Sequence, residues 1–239
     1  MAFGRQRPTP APPVEPMPWE GIGWFVLSDV EQPAASRRDA VTGLRAIRVP
    51  SVDGPVRCFA PAVLVGRADP GIRAYELHAA RDPSVPVCAF APVTGGKGGE
   101  HYRVTDGAGQ EIGTVHRTVA AKRTIQHAWW LRQPGHPDIV ARYHWAKGSA
   151  KEVTVRGKEA VARQAEKLAD SVLGSMPFGG GDESGGSNYD IRKPVTWRAG
   201  AEEVALTADH TGPWANAYVL KAGWLDLRPA FALAVLRDA

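Results

Sequence analysis

Two cysteines, Cys58 and Cys88, are the only thiols in 239 residues. They stand in strand-like apolar runs with no CxxC or Cys/His spacing, which argues against a disulfide framework and against a sulfur-ligated zinc site. They read as buried thiols of a reducing compartment. No stretch reaches the 18 or more apolar residues that a membrane-spanning helix needs. The opening segment, MAFGRQRPTPAPPVEPMP, carries charge but no apolar stretch of the secretory kind. The chain is therefore expected in the cytoplasm, with any membrane contact peripheral. Neither sign of charge dominates, since 29 Lys and Arg face 25 Asp and Glu for a net charge of +4. This mild excess favours anionic partners and falls short of a dedicated nucleic-acid binder. There is no GxSxG elbow, P-loop or GxGxxG after a strand. The GGKGG run at Gly95–Gly99 lacks the Ser/Thr and helix of a phosphate loop and reads as a flexible connection.

Against those absences stands a rhythm. Six prolines within the first 18 residues favour extended backbone over packed structure, so 1–18 is expected to be a tail. From Trp19 the chain breaks into short apolar or alternating runs divided by Gly, Pro and Asp clusters, the pattern of an all-β sandwich or barrel. Candidate strands fall near 24–30, 44–49, 56–60, 62–66, 72–78, 85–91, 101–105, 111–118, 124–132, 139–146, 152–156, 191–198, 202–208 and 214–221. The clearest unit is HYRVTDGAGQEIGTVHRT, where Tyr102, Val104, Ile112 and Val115 alternate across a turn at Asp106–Gly109.

Two helices interrupt this pattern. Over 157–174 an apolar stripe of Val161, Ala165, Leu168 and Val172 predicts a surface helix, and the Gly- and Ser-rich 175–188 that follows predicts a flexible loop. The last segment, LDLRPAFALAVLRDA, differs in kind. Asp226 offers an N-cap, Pro229 suits the first turn, and Ala230–Leu236 is apolar throughout. A helix over 226–238 that is apolar all round must be enclosed, and at about 20 Å it is too short to span a bilayer core of about 30 Å. Enclosure by a sheet follows. The predicted fold is mainly β, a closed antiparallel barrel of about 12 strands in a single domain over 19–239, built around a hydrophobic C-terminal helix.

The YRVTDGAGQEIGTVHR hairpin, with its D-x-x-G turn and "IG.V.R" strand, and the closing WLDLRPAFALAVLRD resemble the tubby C-terminal, phospholipid scramblase-like (LURP-one-related) family. The resemblance spans 40–239 and implies a barrel with the last helix along its axis. It also implies membrane-lipid recognition of the kind tubby domains show toward anionic headgroups. The cysteine-rich and acidic calcium-binding segments of scramblases are missing, so scrambling activity is not implied.

Arg117, Lys122, Arg123, Arg132 and Arg142 fall at consecutive strand ends and could gather an anionic headgroup, because guanidinium groups bind such oxygens bidentately. Solvated surface charge is the alternative for each, as for Lys147, Lys151, Arg156 and Lys158. His101, His116, His127, His136 and His144 have no ligand spacing, and neither a metal nor a cofactor is called for. Trp129 and Trp130 are adjacent on a strand, so one must point inward and the other outward. The expected function is a non-enzymatic binding or scaffold module for anionic phospholipid or a protein partner. A small-molecule enzyme with a barrel-end pocket and a single-stranded nucleic-acid-binding barrel remain the alternatives.

Overall fold

The computed structural model describes residues 14–34, 39–51, 58–69, 71–93, 99–118, 129–143, 195–200, 203–209 and 217–238. Twelve strands form one closed antiparallel barrel: β1 (Trp24–Gln32), β2 (Val41–Ser51), β3 (Cys58–Asp69), β4 (Ala74–Ala79), β5 (Pro86–Pro92), β6 (Gly99–Asp106), β7 (Glu111–Thr118), β8 (Trp129–Arg132), β9 (Ile139–Tyr143), β10 (Val195–Ala199), β11 (Glu203–Asp209) and β12 (Ala217–Leu220). Each strand pairs with its chain neighbours, and β1 closes the ring on β12 through Trp24↔Val219 and Phe25↔Tyr218. Helix α1 (Leu227–Asp238) follows β12.

Helix α1 fills the barrel. It packs on β1 and on β5 through β8, strands that lie on opposite sides of the ring, and every residue from Pro229 to Leu236 is buried. Phe231 meets Phe25 of β1 edge to face at 4.9 Å. On the β7 side Gly113 makes room. A Cβ there would sit 2.7 Å from the Arg132 carbonyl and 3.1 Å from Pro229 Cγ, which gives the glycine of the "IG.V" strand a packing reason. Asp226 caps the helix by accepting the Arg228 N–H at 2.9 Å. The cap cannot serve the next residue, since Pro229 has no N–H. From the β8–β9 turn, the Gln133 side chain donates to the Trp224 carbonyl at 3.0 Å and accepts the Asp226 N–H at 2.9 Å, fixing the helix entry. Nothing in the sequence around Gln133 announces this clamp.

The expected turn between β6 and β7 is present. Asp106 Oδ1 accepts the N–H of Ala108 and of Gln110, both at 2.9 Å, and Gly109 takes φ of 80°. Two sequence expectations are corrected. From Cys58 onward the candidate strands 56–60 and 62–66 are parts of the single β3; Pro61, which lies between them, sits at the β2–β3 bulge, one of the places a sheet accepts proline. The tail does not run free to residue 18. Met17 packs on the core and donates its N–H to the Pro61 carbonyl at 3.0 Å, while Arg81 Nε donates to the Pro16 carbonyl at 3.3 Å. The expected surface helix 157–174, the loop 175–188 and the strand 152–156 lie outside the described residues.

Arg48 is only 1% exposed, though it is charged. Its guanidinium donates to the carbonyls of Ser28 (3.0 Å), Phe59 (3.1 Å) and Leu44 (2.7 Å) and to Glu31 Oε1 (3.3 Å). Burial lowers its pKa, and Glu31 opposes that loss. The residue ties β1, β2 and β3 together through acceptors that each need a donor.

Candidate functional site

The direction of each strand sorts the charged residues to the two ends of the barrel. Asp106, Arg132 and Gln133 lie at the end where α1 begins. Glu100, Arg117, Trp129 and the β3–β4 turn lie at the end toward which α1 runs. This second mouth holds a connected group of polar side chains.

Glu100 and Tyr102 are two apart on β6 and so share a face, and Tyr102 is 1% exposed in the core. Glu100 Oε2 accepts the Tyr102 hydroxyl at 2.8 Å and Arg73 Nη1 at 3.3 Å, while Oε1 accepts Arg117 Nη1 at 3.1 Å. Two guanidinium groups, Arg73 from the β3–β4 turn and Arg117 from β7, therefore meet on one carboxylate. Partial burial pushes the Glu100 pKa up, but Tyr102 and the two arginines outweigh it and hold the carboxyl below its ordinary range. Burial, with the bond to Glu100, pushes Tyr102 up to about 12. Arg117 lies over the Trp129 ring at 5.4 Å, and Arg67 lies over the Tyr75 ring at 5.9 Å. Arg73, Arg117 and Glu100 are all partly open to solvent.

Of the arginines expected to act together, the structure brings two onto neighbouring strands but not to one place. Arg117 follows Val115 on the inner face of β7, whereas Arg132 stands on the outer face of β8 beyond Trp130. Arg132 is held by Asp138 through two bonds of 2.8 and 3.1 Å and lies 5.7 Å from the Trp130 ring. Arg142 belongs to β9 opposite Thr196. Its side chain, and Lys122 and Arg123 altogether, lie outside the described residues, as do Lys147, Lys151, Arg156 and Lys158. Sequence reasoning missed Arg73 and Glu100, because only the pairing and register of β4 with β5 and of β5 with β6 set the β3–β4 turn beside the start of β6.

The tryptophan pair divides as its spacing requires, with Trp129 buried and Trp130 outside. On the outer face His101, His116 and Trp130 form a row across three strands, with ring centroids 4.0 and 3.7 Å apart. Burial, then the neighbouring His101 and Arg132, push His116 down to about 4, so it is neutral at pH 7. Its Nε2 lies 2.9 Å from Thr114 Oγ1. His136 stacks on Trp224 at 4.2 Å at the opposite mouth, while His127 and His144 lie outside the described residues. No three metal-binding side chains cluster among the described residues. No helix among them is long and apolar enough to cross a membrane. No protein-family model, curated protein or solved structure matches the chain.

Proposed function

We propose that this chain is a non-enzymatic binding module that recognises anionic phospholipid headgroups, peripherally at a membrane, through the mouth around Arg117. The observation that carries this reading is the convergence of Arg73 and Arg117 on one partly open carboxylate, with Arg67 nearby. Guanidinium groups held in this way present paired donors to an oxyanion. The same mouth exposes two large apolar side chains, Ile72 in the β3–β4 turn and Val93 just past β5. Apolar tips beside arginines suit an interface of hydrocarbon and anionic headgroups. A closed twelve-strand barrel with a C-terminal helix is consistent with the tubby-like fold, and membership of that family belongs with this proposal. The enzyme alternative is weaker because α1 occupies the volume in which a barrel would hold a substrate.

Sedimentation with vesicles of neutral and of anionic phospholipid, at rising salt, tests the reading. The protein is expected to pellet with anionic vesicles and to release as salt screens the contact. Neutralising Arg117, Lys122 and Arg123 together should weaken binding on the order of 100-fold, at about 1 kcal/mol per basic residue near the surface. Absence of binding to anionic vesicles, or equal binding to neutral ones, would refute it.

A further inference from the structure

Tyr75 is 5% exposed, and its hydroxyl is buried without a hydrogen-bond partner. Folded proteins seldom leave such a group unpaired unless something else uses it. The ring is held in place by stacking on Phe90 at 5.2 Å and by Arg67 at 5.9 Å, so the position of the hydroxyl is set. Tyr75 is the second residue of β4, at the same mouth as Glu100, and Arg73, two residues earlier, lies within electrostatic reach of both Tyr75 and Tyr102. The two Glu100 oxygens already accept from Tyr102, Arg73 and Arg117. Oε2 takes two of these and Oε1 one, and the Tyr75 hydroxyl is not among the donors to either.

We propose that this mouth binds a phosphate monoester, which takes the place of Glu100 between Arg73 and Arg117 and accepts the unused Tyr75 hydroxyl on a third oxygen. A phosphate monoester has three terminal oxygens and more charge than a carboxylate, so it can serve Arg73, Arg117 and Tyr75 together with the Tyr102 hydroxyl that Glu100 releases. Glu100 then acts as an internal stand-in anion that leaves when the ligand enters. Its side chain is 43% exposed, so it can turn toward solvent. The inference rests on the reading of this mouth as a headgroup site and names the headgroup chemistry. That chemistry occurs both in phosphatidic acid and in free glycerol 3-phosphate.

The test titrates the full chain with glycerol 3-phosphate and, separately, with phosphatidylcholine vesicles that carry either phosphatidic acid or phosphatidylserine. Tyr75→Phe removes only the hydroxyl. It is expected to lower affinity for glycerol 3-phosphate and for phosphatidic acid vesicles about tenfold, with an unchanged or higher Tm in the absence of ligand, as for loss of one hydrogen bond to a charged group. Arg73→Gln should weaken binding at least as much, and Glu100→Gln should strengthen it by removing the competing anion. Binding of glycerol 3-phosphate without binding of any vesicle would support the cradle and refute the membrane reading. Equal binding of both anionic vesicles, unaffected by Tyr75→Phe, would overturn the cradle and leave the headgroup reading standing. A Tyr75→Phe variant that melts several degrees lower would also overturn it, by showing that the hydroxyl has a structural partner.

Discussion

Leu233 sits in the middle of α1 with no exposed surface, among Phe231, Ala232, Ala234 and Val235, all of them buried. Replacing it with alanine removes its contacts and leaves a cavity, a loss of roughly 2–5 kcal/mol. Replacing it with aspartate adds a polar group with no partner, about 1–3 kcal/mol more even when the carboxyl is neutral. The sum of roughly 3–8 kcal/mol is comparable with the whole stability of a domain, about 5–15 kcal/mol. The pH dependence has a definite sign. Burial disfavours the charged form, so the folded pKa of the new carboxyl rises above its unfolded value of about 3.9. The folded state then holds the proton more tightly, and the cost is least below about pH 4. It grows by up to about 1.4 kcal/mol per pH unit until the folded pKa is passed. Between pH 5 and pH 7 the variant should lose up to about 2.7 kcal/mol relative to the parent. Circular dichroism melts of the parent, Leu233→Ala and Leu233→Asp at both pH values read this directly. A cooperative, native-like melt of Leu233→Asp within about 2 °C of the parent at pH 7, where 1 kcal/mol corresponds to about 2–4 °C, would place the helix outside the barrel.

Gly113→Ala should destabilise the protein by about 1–3 kcal/mol, read as a lower Tm, because its Cβ would sit 2.7 Å from the Arg132 carbonyl and press on Pro229. An unchanged Tm would mean that α1 yields at its first turn. Deleting residues 1–18 should lower Tm by a few degrees, since Met17 covers the core and bonds to Pro61; unchanged melting would return the whole segment to the status of a tail. For Asp226, partial burial raises the pKa but Arg228 more than offsets it, so the folded pKa is depressed. Its contribution is therefore present above the unfolded value of about 3.9 and is lost as pH falls through the folded one. Asp226→Asn should flatten the acid limb of a plot of Tm against pH, and an unaltered limb would assign acid sensitivity to other carboxylates.

Much of the architecture was legible because its causes are local. The β6–β7 hairpin follows from Asp106 and Gly109, whose turn chemistry acts within a few residues. The enclosed helix follows from seven consecutive apolar residues after a capping aspartate, which leaves no face for water. The strand alternation that separated Trp129 from Trp130 is equally local.

Strand pairing and register decided the rest. Whether an arginine at a strand end faces inward or outward depends on register and bulges, and a one-residue change of register turns every side chain to the other face. Arg117 and Arg132, indistinguishable as text, are thereby set on opposite faces, each against its own carboxylate. Arg73 reaches Glu100 across 27 residues of chain, and Gln133 reaches Asp226 across 93. Arg48 is buried only because three strands bring their carbonyls around it. Local sequence thus determined which elements form and that the last must be enclosed. Tertiary structure alone determined which polar groups meet, because those meetings depend on distances set by the closed sheet and not on spacing along the chain.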